Sequence, residues 1–152
     1  MRAEYLNPFI GAVTSVFNTM LNCQISRGAI FLKNGQDPSH EISGIIGLSG
    51  RASGTVVLSL NRQTALSAAQ TMLGEAQTEI NADVKDVVGE LANMVAGSAK
   101  AQLAQFDMSL TIPTVVTGNF HVVFPSKTPP ICIPFETPWG SLTVEVGLVE
   151  TP

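Results

Sequence analysis

From Asn7 onward, Phe9, Val13, Val16, Phe17 and Met20 recur at helical spacing, and Asn7 followed by Pro8 reads as an N-cap and a first helical position. The spacing predicts an amphipathic helix from Asn7 to about Leu21. Residues 34–40 collect Asn, Gly, Asp, Pro and Ser and lead into two β-type runs, 42–48 and 55–60, separated by Ser49-Gly50-Arg51-Ala52-Ser53-Gly54. These predict a β-hairpin. Asn61 then caps a short helix carrying Ala65, Leu66, Ala69, Met72 and Leu73, and Gly74 stands where a left-handed C-terminal residue would end it.

The longest helical pattern begins near Asn81, has Asp83 in its first turn, and repeats apolar residues at Val84, Val88, Leu91, Val95, Ala99 and Phe106. Beyond Phe106 the texture becomes β-branched and proline-rich, with candidate strands at 110–117, 120–124, 131–135 and 142–149. Pro113, Pro125, Pro129, Pro130, Pro134 and Pro138 are expected at edges, bulges or turns, because proline donates nothing to a ladder. Helices around a hairpin, followed by several strands, predict an α+β fold: an antiparallel sheet with helices packed on one face.

Composition narrows the function. With 152 residues, 45% of them hydrophobic and 13% charged, the chain supplies one packed core, so residues 1–152 are read as a single domain. A net charge of −4 without a basic run argues against nucleic acid as partner. No segment reaches the roughly 18 uncharged apolar residues of a membrane span, and a cytoplasmic location is expected. Cys23 and Cys132 are far apart and lack zinc-type spacing, so they are read as small buried hydrophobes. His40 and His121 are solitary, so no metal site of the chain's own is expected.

At about 100° per residue, Val84, Val88, Leu91, Val95 and Phe106 share one stripe of the long helix, while Glu90, Asn93 and Gly97 fall on its far side. Glu90 and Asn93, three residues apart, bring their side-chain tips to one exposed patch. Glycine inside a helix costs about 1 kcal/mol relative to alanine, yet Gly89 and Gly97 stand four residues before and after Asn93. Two readings follow. The glycines clear the surface around Asn93 for a partner, with Ala101 and Ala104 extending the small-residue face; or the polar pair is a solvated face and the glycines admit a neighbouring element of the same chain.

The run Val87-Val88-Gly89-Glu90-Leu91-Ala92-Asn93-Met94-Val95-Ala96-Gly97 resembles the E-x-x-N helix of the CheC, CheX and FliY phosphatases, and Ile112-Pro113-Thr114-Val115-Val116-Thr117-Gly118 resembles the strand that follows it in CheX proteins. The resemblance implies a CheC-like fold and a phosphatase for the aspartyl phosphate of a CheY-like response regulator in chemotaxis-type signalling. It assigns Glu90 and Asn93 as the catalytic pair, flanked by Gly89 and Gly97 at the binding face. The regulator brings its own Mg2+ and lysine, so no cofactor of this chain is implied. An exposed glutamate is ionised at neutral pH and would pair with that lysine, while the carboxamide would orient the attacking water.

Double-site relatives carry a second E-x-x-N on the first helix, but Pro8 to Cys23 contains no Glu, and neither Asn18 nor Asn22 has one three residues before it. One site per chain is therefore expected. The resemblance further implies a homodimer, with strands beyond Phe106 as its contact. One alternative is a non-catalytic module that docks a response regulator, a receptor-modifying enzyme or a flagellar switch component. Another is a small-molecule enzyme using Glu90 as base, which would need a concave pocket around that residue.

Overall fold

A computed structural model describes residues 3–33, 40–118 and 129–152. Among the described residues, three α-helices, α1 (Ala3–Leu21), α2 (Arg62–Leu73) and α3 (Ala82–Ala101), lie among eight strands. The strands are β1 (Ser26–Arg27), β2 (Phe31–Leu32), β3 (Ile42–Ser49), β4 (Ala52–Leu60), β5 (Ser109–Leu110), β6 (Thr114–Thr117), β7 (Ile131–Thr137) and β8 (Gly140–Glu150). The predicted strand at 120–124, with His121 and Pro125, lies outside the described residues.

α2 is capped as the sequence predicts, and α3 is capped at its expected start. The side-chain oxygen of Asn61 accepts from the Thr64 N–H at 2.9 Å, and that of Asn81 from the Val84 N–H at 3.0 Å. Gly74, at φ 74°, closes α2 by donating its N–H to the Gln70 carbonyl at 2.8 Å. Two helix boundaries differ. α1 starts at Ala3 instead of Asn7 and carries Pro8 inside it. The extra turn buries Tyr5 and Leu6; Tyr5 meets Phe106 edge-on with ring centroids 5.1 Å apart, and its hydroxyl donates to Glu150. That burial offsets the backbone bond a proline removes near a helix start. At the other boundary α3 ends at Ala101, and Phe106 reaches the core from a 3-10 turn, Ala104–Phe106.

All strand pairs are antiparallel, in the order β1-β7-β8-β4-β3-β5, with β2 sharing β7's outer side and β6 sharing β3's. The hairpin turn is tighter than expected, because β4 begins at Ala52 and the ladder runs from Ile42 opposite Leu60 to Leu48 opposite Gly54. The predicted strand at 110–117 is split at residues 111–113, where Pro113 lacks an N–H and Thr111 instead exchanges hydrogen bonds with Gly47. Pro134 lies within β7, opposite the gap between β1 and β2, where a missing donor costs the ladder little.

Alternation sends Ile42, Ile46, Leu48, Val56, Leu58, Leu60, Ile133, Phe135, Leu142, Val144 and Val146 to the core. α3 sits closest to it: a Cβ on Gly44 of β3 would lie 2.7 Å from the Ala92 Cβ, so only glycine lets helix and strand meet here. α1 and α2 pack against α3.

The opposite alternation places polar residues that are also buried. Ser43 donates to the Ser59 hydroxyl, which also accepts from the His40 N–H. Next along the sheet, Glu145 is buried in an ion pair with Lys33. Burial lowers the His40 pKa from 6.5; Glu41, Glu136 and Glu145 oppose that shift and Lys33 adds to it. Cys23 and Cys132 are both buried, and burial pushes the Cys23 thiol up.

Candidate functional site

α3 presents opposite sides to the core and to solvent. Val84, Val88, Leu91 and Val95 are fully buried, Glu90 is exposed and Asn93, one turn further on, is half-buried. Among the described residues, neither the Glu90 nor the Asn93 side chain makes a hydrogen bond or an ion pair. A carboxylate and a carboxamide therefore share one patch with their polar atoms free: one accepts from a cation, the other both donates and accepts.

The glycines divide between the two sequence readings. Gly89 is buried, and a Cβ there would lie 3.3 Å from Val115 and 3.5 Å from Pro113, so its space is filled by this chain's own strand. At Gly89 the room therefore goes to a neighbouring element of the same chain, the second of the two readings. Gly97 is partly exposed, and a Cβ on it would meet only Leu110, at an ordinary contact distance of 3.9 Å. Ala101 and Ala104 are exposed beyond it.

One neighbour of the pair stands in the sequence only as a strand, with no site role. Residues 110–115 run beside α3, from Leu110 at Gly97 to Val115 at Gly89, and expose the Ile112 side chain to 87%. The available signal was the Ile112-Pro113 step itself, an aliphatic residue held extended before proline.

Because α1 begins at Ala3, it does hold one E-x-x-N, Glu4 to Asn7, in its first turns, but it has no carboxylate at the position that α3 gives to Glu90. Ser15 and Asn18 stand three residues apart on its exposed side and, with Gly11, Thr14, Gln24 and Ile25, line an open groove of about 590 Å³. Among the described residues, no group of three or more His, Cys, Asp and Glu side chains is arranged to hold a metal ion. No described helix is long and apolar enough to cross a membrane.

The family model described as Chemotaxis phosphatase CheX matches residues 42–136, which include β3, β4, α2, α3 and all but the last residue of β7. The chain is 27% identical over 122 residues to a protein named CheY-P phosphatase CheX from Thermotoga maritima, covering 78% of this chain and 79% of that one. The crystal structure of chemotaxis protein CheX from Vibrio vulnificus superposes with a TM-score of 0.89 at 32% identity, covering 96% of this chain and 99% of that one. The CheX-CheY-BeF3-Mg2+ complex from Borrelia burgdorferi superposes with a TM-score of 0.81 at 25% identity, covering 98% and 100%. With its antiparallel sheet, its three helices and a sequence matched over most of its length, the chain belongs to the CheX family of chemotaxis phosphatases.

Proposed function

We propose that this protein hydrolyses the aspartyl phosphate of a CheY-like response regulator in the cytoplasm, through the single site formed by Glu90 and Asn93. The observation that carries this reading is the pair itself, an exposed carboxylate and a half-buried carboxamide one turn apart with their polar atoms free, on the helix of a CheX-family chain. The Borrelia burgdorferi relative is held in a complex with CheY, BeF3 and Mg2+, and beryllofluoride has the shape and charge of a phosphoryl group. In this reading Mg2+ belongs to the regulator and neutralises charge at the phosphoryl oxygens.

The Asn93 carboxamide hydrogen-bonds a water and holds it in line with phosphorus. An amide has no useful basicity, so the gain comes from orientation rather than from proton abstraction. The Glu90 carboxylate accepts from the regulator's lysine and sets the register of the two surfaces. Gly97, with little standing above it, leaves the partner room to approach Asn93.

The test is phosphate release from a phosphorylated regulator with and without this protein. A shortened phosphoryl half-life is expected, whereas a module that only docks would leave it unchanged. The reading includes a homodimer. Its contact is read at the β2 edge in place of the strands beyond Phe106: Ile30, Phe31 and Leu32 form an exposed apolar run there, Phe31 at 46% and Leu32 at 64%, which supports pairing of that edge with a second copy. Light scattering that returned only the 16.0 kDa mass would remove the dimer.

A further inference from the structure

Gly89, Asn93 and Gly97 follow one another at four-residue steps along one side of α3, about 6 Å apart. Segment 110–115 runs antiparallel to that line, with Leu110 beside Gly97 and with Pro113 and Val115 beside Gly89, so it carries Ile112 past Asn93. Its neighbours turn inward. Thr111 is tied to Gly47 of β3 through its N–H at 3.0 Å and its hydroxyl at 2.8 Å, and Pro113 packs toward Gly89. Ile112 points away from the molecule at 87% exposure, more than any other large apolar side chain among the described residues.

The fold does not require isoleucine there. A residue before proline needs an extended backbone, which threonine or a charged residue adopts equally well, and an aliphatic side chain left in water contributes nothing to the core. An isoleucine this exposed, on the segment that runs from Gly97 to Gly89 past a polar pair with free side chains, offers apolar contact to a surface that reaches the pair.

We propose that Ile112 is an apolar anchor of the docking surface for the phosphorylated receiver domain, packing on the partner beside the phosphorylated site as Glu90 and Asn93 enter it. This rests on the function proposed above, and the partner follows from continuity with that site. Ile112 touches no reacting atom, so it is a positioning residue. Its contact is the same before and during the chemical step, so it acts on affinity and not on the rate of the bound complex.

The test compares Ile112→Ser and Ile112→Leu in the full chain. KM for the phosphorylated regulator is expected to rise about tenfold in I112S with kcat unchanged, and to stay within about twofold in I112L. Affinity for the regulator loaded with beryllofluoride and Mg2+ should fall by the same factor in I112S, while melting temperature and light-scattering mass stay put. Unchanged KM and affinity in I112S overturn the proposal. So does a fall in kcat alone, or a loss of dimer mass, which would assign Ile112 to self-association. Failure of the underlying function reads out separately, as retained phosphate release by Asn93→Ala with Ile112 intact.

Discussion

Helices α1 and α3 pack against one another, and each buries a comparable stripe: Phe9, Val13 and Val16 on the first, Val84, Val88 and Leu91 on the second. Setting these stripes in register places Asn18 of α1 at the position of Asn93 and Ser15 at that of Glu90. The two amides differ in their surroundings. Asn93 is half-buried beside segment 110–115, whereas Asn18 is exposed on an open groove. A side chain with fewer accessible rotamers loses less entropy when it engages a partner, so the strand beside α3 contributes to preorganisation as well as to the sheet. The counterpart of Glu90 is a hydroxyl, which cannot supply a charge-assisted bond to a cation. On the function proposed above, an amide on the solvent side of a packed helix does not suffice; the carboxylate one turn earlier and the segment beside it distinguish the two surfaces.

That contrast breaks most directly at Asn93. Asn93→Ala is expected to lower phosphate release by at least about a hundredfold, the scale of a misplaced reactant, with the fold intact by circular dichroism. If activity is lost only because the domain unfolds, the residue is structural. Glu90→Ala should follow, with a loss of about 1.5 to 3 kcal/mol of docking energy, roughly ten- to hundredfold in affinity for the beryllofluoride-loaded regulator by titration calorimetry. A fall in kcat at undiminished affinity would instead give Glu90 a role in the chemical step.

Gly97→Ala separates helix stability from access. It should stabilise the domain by up to about 1 kcal/mol in urea unfolding, since the added methyl meets Leu110 without overlap. Its affinity for the regulator should nonetheless fall a few-fold, and an unchanged affinity would show that the partner does not come close there. Asn18→Ala is the smallest effect, with no change in phosphate release or in a stoichiometry of one regulator per chain. Any loss of activity with the fold retained would mean that α1 carries a working site after all.

Much of this architecture was legible because local chemistry and global packing agree. Asn61, Asn81 and Gly74 cap the helices as their residue types dictate, and the β-type runs at 42–48, 55–60, 131–135 and 142–149 fall inside β3, β4, β7 and β8. The α1 start was misread because Asn-Pro is a strong local signal, while the burial of Tyr5 depends on Phe106 and Glu150, both distant in the chain. β1 and β2 are two residues each and exposed, too short to show any period. Helical periodicity put Glu90 and Asn93 on the side away from the core. It could not say which strand would come to Gly89, because that depends on the break at residues 111–113. The ion pair of Lys33 with Glu145 was invisible for the same reason, since its partners meet only when β2, β7 and β8 align.

The place of β8 in the sheet bears on how the protein is made. β8 follows every other described strand in the chain, yet it sits between β7 and β4, pairing Ala52 with Glu150 at one end and Leu60 with Leu142 at the other. During vectorial synthesis α1, the hairpin, α2 and α3 leave the ribosome while that side of β4 still lacks its native neighbour. The nascent chain thus passes through an interval in which a long, apolar strand edge is open to wrong pairing. Closing it requires contacts between distant parts of the sequence, which are slow to form. Pairing of β8 with β4 therefore closes that edge only after α1, the hairpin, α2 and α3 have emerged.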